Sequence, residues 1–108
     1  MRTLLLGLTL GLLPGAVLAQ NRPATCARDL FQTQAALSAQ QTRMQAAAKG
    51  DQAAQCSAWR DHVKVLQGAR ATYATCQSGR QREDSVAEMD EVLGQFRVLL
   101  RERCGKSR

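Results

Sequence analysis

From residue 24 onward, the apolar positions of the chain recur at steps of three and four, the spacing that places side chains on one face of an α-helix. The clearest stripe consists of Cys56, Trp59, Val63, Leu66, Ala69, Tyr73 and Cys76. A similar stripe further along consists of Val86, Met89, Leu93, Phe96, Leu100 and Cys104. An earlier segment, from about 24 to 48, spaces Leu30, Leu37 and Met44 seven residues apart, with Phe31 beside them. The pattern therefore predicts three amphipathic helices.

Two short breaks, at 49–51 and 78–79, separate these segments. Asp51 is predicted to cap the second helix. Ser85, followed three residues later by Glu88, has the spacing of a capping box and is predicted to mark the start of the third helix. Because short connections favour antiparallel neighbours, we predict an all-α fold, an up-down-up three-helix bundle made of antiparallel hairpins.

Two glycines, Gly68 and Gly94, fall inside the predicted helices. A glycine in a helix interior costs about 1 kcal/mol relative to alanine. We interpret these two positions as points where neighbouring helices approach closely.

The N-terminal segment has a different pattern, with a positive charge at Arg2, an apolar run over 4–13 and small residues before position 20. These features predict a secretory signal peptide over residues 1–19. The apolar run is shorter than the roughly 20 residues that a membrane-spanning helix needs, so no transmembrane segment is expected after signal removal. We expect one domain over residues 20–108, located in the periplasm or secreted.

Composition then shows that the mature domain has a thin core. Removal of Arg2 leaves 14 basic against 9 acidic side chains, a net charge of +5. Large apolar side chains are few and isoleucine is absent. Domains of this size usually require disulfides, metals or oligomerisation for stability. All four cysteines lie after residue 19, and an even number in a small exported chain predicts a disulfide framework.

The hairpin geometry selects one of the three possible pairings. Cys56 and Cys76 are twenty residues apart in one helix, or about 30 Å, whereas a disulfide requires α-carbons within about 7 Å. Pairing Cys26 with Cys56 would join opposite ends of the first hairpin, and its complement has the same fault in the second. The remaining pattern, Cys26 with Cys76 and Cys56 with Cys104, places each pair at one level of a hairpin. We predict these two bridges.

No catalytic residue, cofactor or metal ion is predicted, and the protein is not expected to be an enzyme. The cysteines lack the C-x-x-C spacing of a redox centre, and the predicted bridges place them too far apart for a zinc site. The single histidine, His62, is interpreted as a residue at the edge of the packed face.

Acidic side chains gather around the predicted start of the third helix. They are Glu83, Asp84, Glu88, Asp90 and Glu91. We interpret them as complementing the positive end of the helix dipole. The alternative is a weak cation-binding site built from oxygen ligands, although no EF-hand spacing is present.

Basic side chains form the candidate partner surface. Its residues are Arg60, Lys64, Arg97, Arg101 and Arg103, with Arg70 on the polar side of the second helix and Lys106 and Arg108 beyond Arg103. The expected partner is an unknown protein or an anionic envelope component. Nucleic acid is not expected, because the chain is predicted to be exported and has too few aromatic residues for a stacking platform.

Three short sequence motifs occur in the second half of the chain: C-x2-W-R-x-H-V from Cys56, Y-x2-C-x2-G-R-x-R from Tyr73, and V-x2-M-D-x5-F from Val86. With these motifs, about half of the chain resembles small exported four-cysteine helical proteins of proteobacteria. The resemblance implies an exported helical domain and implies no activity, ligand or site residue.

Together, these features predict a non-enzymatic exported helical module that binds an envelope component or a protein partner. A secreted hydrolase inhibitor is an alternative, because a disulfide-clamped scaffold can present a rigid surface at small ordering cost. Weak cation binding is a further alternative. The pattern leaves the oligomeric state open.

Overall fold

A computed structural model describes residues 23–105, which form three α-helices and no strands. Helix α1 spans Cys26–Ala47, α2 spans Gln52–Cys76 and α3 spans Gly79–Cys104. The connections between them are short, and consecutive helices run antiparallel. The predicted up-down-up three-helix bundle is confirmed. The predicted signal peptide over residues 1–19, together with Lys106 and Arg108, lies outside the described residues.

The helix starts agree with one capping prediction and contradict the other. The Asp51 carboxylate accepts a 2.8 Å hydrogen bond from the Ala54 backbone N–H, so the predicted N-cap of α2 is confirmed. The prediction that α3 starts at Ser85 is wrong, since the helix begins six residues earlier, at Gly79. Arginine, glutamine and glutamate dominate the segment 80–84, and their helix propensity allows α3 to extend back to the turn.

Helix α2 is the central element of the bundle. It packs against both α1 and α3, whereas the described backbones of α1 and α3 nowhere approach within 8 Å, measured between α-carbons. Each residue rotates the helix by about 100°, so Cys56 and Cys76 lie about 160° apart around α2. Their placement in one stripe on a single helix face is therefore wrong for these two end positions, which are bonded to different neighbours. Cys76 therefore meets α1 on one flank, and Cys56 meets α3 on the other.

The hydrophobic core is small and lies mainly between α2 and α3. Leu66 and Ala69 of α2 pack with Met89 and Leu93 of α3, and all four are buried. Partly buried side chains surround this cluster: Leu37, Val63, Tyr73, Val92 and Phe96. Helix α1 thus reaches the core through Leu37.

Helix α1 follows a heptad pattern. Cys26 and Gln40 are buried, and Leu30, Leu37 and Met44 are half-buried on the same side. Alternating steps of four and three are typical of helices that pack with small crossing angles. The grouping of Phe31 with this stripe is wrong, because its side chain is 75 % exposed. One residue of helix rotates Phe31 by about 100° from Leu30 and away from α2.

Both predicted disulfides are confirmed. Cys26 is bonded to Cys76 with α-carbons 5.3 Å apart, and Cys56 is bonded to Cys104 with α-carbons 6.0 Å apart. The first bridge joins the beginning of α1 to the end of α2, and the second joins the beginning of α2 to the end of α3. Each bridge therefore closes the open end of one hairpin.

Removing one bridge should destabilise the protein strongly. The bridges span 50 and 48 residues, and the chain-entropy model gives about 4 kcal/mol for a loop of such length. We expect a double variant, Cys56→Ser with Cys104→Ser, to unfold at a much lower denaturant concentration, followed by Trp59 fluorescence. The protein with its natural cysteines, measured with its disulfides intact and again after reduction, is the control. An unchanged denaturation midpoint would contradict the role given to the bridge.

The interpretation of Gly68 and Gly94 as close-approach positions is wrong. An added β-carbon at either position would have no neighbouring atom within 4 Å, and both residues are exposed. Gly79 differs, because its φ of +59° lies in the left-handed region that residues with a β-carbon rarely adopt.

Alanine substitutions should therefore have opposite effects at these positions. Gly68→Ala and Gly94→Ala should each raise the free energy of unfolding by about 1 kcal/mol, through helix propensity and lower unfolded-chain entropy. The control Gly79→Ala should lower it by about 1 to 2 kcal/mol. Urea denaturation measures all three. A loss of stability in Gly94→Ala would contradict the open space found around this position.

Candidate functional site

The structure brings Arg60 and Arg101 together on one side of the α2–α3 hairpin, and helical spacing places Lys64 and Arg97 next to them. Arg60 of α2 and Arg101 of α3 line the same depression, of about 210 Å³, next to the disulfide between Cys56 and Cys104. Lys64 follows Arg60 by one helical turn, and Arg97 precedes Arg101 by one turn, so each pair shares a side of its helix. We call Arg60, Lys64, Arg97 and Arg101 the basic flank.

Arg103 lies elsewhere on α3. It follows Arg101 by two residues, a rotation of about 200°, so its side chain leaves the helix on a different side. Its backbone carbonyl instead accepts a hydrogen bond from the side-chain amide of Gln52, at the beginning of α2. Arg103 thus helps to join α3 to α2 through its backbone and is not part of the basic flank.

An ion pair between Arg70 of α2 and Asp90 of α3 borders the basic flank on the side nearer the turn between these helices. The Arg70 guanidinium donates hydrogen bonds to both carboxylate oxygens of Asp90, with 3.2 Å between Nη2 and Oδ2. The hydrogen bond from Arg70 lowers the pKa of Asp90, and the positive charge of Arg97 acts in the same direction. Arg97 is therefore close to this pair. Since both partners are exposed, the pair contributes mainly to side-chain position rather than to stability.

A larger groove continues along the same two helices beyond the ion pair. It has a volume of about 570 Å³. Ala74, Val86 and Ala87 form its apolar wall, and Arg82 and Glu83 carry charge at the end near the turn. This combination of an apolar wall and opposite charges gives the hairpin a second concave surface, separate from the basic flank.

The acidic residues of α3 do not converge. Asp90 is paired with Arg70, while Glu83, Asp84, Glu88 and Glu91 are exposed along the helix. Within residues 23–105, no three histidine, cysteine or acidic side chains are arranged to hold a metal ion. The geometry therefore gives no support to the cation-binding alternative.

His62 is buried, so its interpretation as an edge residue is wrong. Only 7 % of the residue is exposed. Its ring contacts the ring of Phe96 edge-on, with 4.7 Å between the ring centroids. Burial lowers the pKa of His62. His62 lies three residues after Trp59 and four residues before Leu66, a spacing that indicates a position on the packed face of α2. The charged neighbour Asp61 favoured the interpretation as an edge residue.

Gln40 of α1 lies at the same level of the bundle as His62. Gln40 is fourteen residues after Cys26, and His62 is fourteen residues before Cys76, the partner of Cys26. Both side chains are buried, and Gln40 Oε1 and His62 Nδ1 have no hydrogen-bond partner among the described residues. Burial removes the hydration of the imidazole, so this level of the core disfavours its charged form.

The buried histidine predicts a pH dependence of stability. The unfolded chain binds a proton at His62 near the ordinary pKa of 6.5, whereas the folded chain binds it only at lower pH. The free energy of unfolding should therefore level off as the pH rises above 6.5. It should decrease as the pH falls from there toward about 5, before the carboxylates titrate. Urea denaturation at several pH values measures this decrease.

His62→Gln is the matched variant, because glutamine remains neutral over this pH range. Its free energy of unfolding should change little between about pH 5 and 7. Equal pH slopes in the variant and in the unaltered protein would assign the effect to another group.

None of the described helices is both long enough and apolar enough to cross a membrane. Comparison with protein-family models, with curated proteins and with solved structures found no match.

Proposed function

We propose that this protein is a non-enzymatic exported helical module that binds an anionic envelope component or an acidic protein surface through the basic flank. The observation that carries the proposal is the convergence of Arg60 and Arg101 from two helices on one depression beside a disulfide. Lys64 and Arg97 extend the same positive surface by one turn.

Export is supported by the predicted signal peptide and by the cysteines. All four cysteines of the chain are bonded in two bridges. Disulfides form and persist in oxidising compartments such as the periplasm and the extracellular space, and they are rare in the cytosol. A periplasmic or secreted location is the proposal most consistent with this chemistry.

The non-enzymatic assignment is supported by the position of the reactive side chains. The cysteine sulfurs are consumed in disulfides. His62 is buried against Phe96, where no described nucleophile hydrogen-bonds to it. The nucleophile and base of an acyl-transfer site must lie within hydrogen-bonding reach of each other.

The basic flank is suited to binding because the two helices that carry it are fixed relative to each other before a partner binds. Four residues of helix advance by about 6 Å, so the two pairs of cations form two adjacent rows on the hairpin. The bridge between Cys56 and Cys104 fixes α2 against α3 at this end. A partner therefore meets an ordered positive surface, and electrostatic attraction accelerates the encounter.

Charge removal on the basic flank tests the proposal. The probes are vesicles of anionic phospholipid, vesicles of neutral phospholipid and an immobilised acidic polysaccharide. We expect the oxidised mature protein to bind the anionic probes and to release them as salt rises. Changing Arg60, Lys64, Arg97 and Arg101 together to glutamine should weaken binding by about 10²-fold or more, at roughly 1 kcal/mol for each cation.

The matched control removes four positive charges from positions outside the basic flank. It changes Arg28, Lys49, Arg80 and Arg103 to glutamine, which leaves the basic flank intact at an identical net charge. Binding by this control should remain within a few-fold of the unaltered protein. Equal losses in both variants would mean that net charge alone is responsible, and failure to bind any anionic probe would refute the proposed function.

A further inference from the structure

The two disulfides differ in how open they are to solvent. Cys26 and Cys76 are both buried, with 7 % and 3 % of each residue exposed. In the second bridge Cys56 is buried, whereas Cys104 is partly exposed. Among the four cysteines, all of which lie within residues 23–105, Cys104 alone is not buried. We call Cys56–Cys104 the accessible bridge and Cys26–Cys76 the buried bridge.

Two depressions open onto the accessible bridge. One, of about 420 Å³, is lined by both of its cysteines together with Arg60. The other, of about 210 Å³, is lined by Cys104 together with Arg60 and Arg101. Both volumes are several times the roughly 30 Å³ that one water molecule occupies in the liquid. A small thiol can therefore enter either depression and reach the disulfide.

Each cysteine of the accessible bridge also has an arginine one helical turn away. Arg60 follows Cys56 by four residues, and Arg101 precedes Cys104 by three. Residues three or four apart are neighbours on one side of a helix. A neighbouring cation favours the thiolate form of a cysteine and lowers the pKa of its thiol. The bridge is thus placed where the thiolates that form on its cleavage are stabilised.

The buried bridge lacks cations at the matching positions. The residue four after Cys26 is Leu30, and the residue three before Cys76 is Tyr73. Neither side chain carries a positive charge that could stabilise a thiolate. The two bridges therefore differ both in exposure and in the charge that surrounds them.

We propose that the accessible bridge is a site of thiol–disulfide exchange, at which a dithiol reduces it while the buried bridge stays intact. The protein is the substrate of this reaction and not its catalyst. The exchange does not depend on the proposed function, because it requires only the bridge and the two arginines beside it.

The exchange proceeds in two displacements. A thiolate of the dithiol attacks Sγ of Cys104, the exposed end of the bridge, and the bond to Cys56 breaks. Cys56 leaves with the bonding electron pair as a thiolate beside Arg60 and takes a proton from solvent. The second thiolate of the dithiol then displaces Cys104, whose thiolate forms beside Arg101 and is protonated likewise. The bridge gains two electrons, and the dithiol loses two and becomes a disulfide.

Reduction frees the end of α3 from the beginning of α2. The side-chain amide of Gln52 still donates a hydrogen bond to the Arg103 carbonyl there, but no covalent bond sets the register of the two helices. Helix α1 remains bonded to α2 through the buried bridge. The change is thus confined to the α2–α3 hairpin, and a disulfide oxidant reverses it.

Timed reduction of the folded, oxidised mature protein tests the proposal. Dithiothreitol is the reductant, iodoacetamide stops the reaction at intervals, and peptide mapping counts the alkylated cysteines. We expect the first product to carry label on Cys56 and Cys104 only, and the accessible bridge to open at least about tenfold faster than the buried one. Equal rates for the two bridges, or earlier opening of the buried bridge, would overturn the proposal.

A double variant, Arg60→Gln with Arg101→Gln, tests the role of the cations. It should slow reduction of the accessible bridge about threefold or more, because the departing thiolates lose their stabilisation. The control, Arg80→Gln with Arg82→Gln, removes the same charge from the other end of α3 and should leave this rate unchanged. Circular dichroism confirms that both variants keep their helices. Equal rates in the two variants would contradict the proposed site.

Thiols of opposite charge give an independent measurement. Mercaptoethanesulfonate is anionic and cysteamine is cationic, so the ratio of their initial rates reports the charge around the attacked sulfur. This ratio should be higher in the unaltered protein than in the variant that lacks Arg60 and Arg101, and added salt should reduce the difference. A ratio that is the same in both proteins would overturn the proposal.

Discussion

Two covalent bonds from opposite flanks of one helix hold this bundle together. Cys56 and Cys76 lie near the two ends of α2, about 30 Å and about 160° apart, and each is bonded to a different neighbour. This arrangement makes α2 central and keeps α1 and α3 on separate sides. The buried core, built around Leu66 and Leu93, is small for a domain of this length. The bridges compensate by limiting the freedom of the unfolded chain.

The same constraint shapes the candidate site. The bridge between Cys56 and Cys104 sets the register of α2 against α3, which brings Arg60 level with Arg101 and Lys64 level with Arg97. The covalent link holds the two helices together at the end of the hairpin where these basic side chains gather.

The first hairpin is held differently. Beyond the bridge between Cys26 and Cys76, the heptad pattern of α1 and the ion pair from Arg43 to Asp61 connect α1 to α2. Gln40 and His62 form a polar level inside this contact. A buried polar residue can fix the register of packed helices at some cost in stability.

The sequence by itself determined the helices and the disulfide pairing. Helical periodicity is a local property, and a bridge such as Cys26 to Cys76 follows from residue counts once the hairpins are assumed. The basic character of Arg60, Lys64, Arg97 and Arg101 was also readable, although their alignment was not. Only the tertiary structure decided that Phe31 faces outward and that His62 is buried. The physical reason is that burial depends on which flank of a helix its neighbours cover, and that choice is made by contacts between distant parts of the chain.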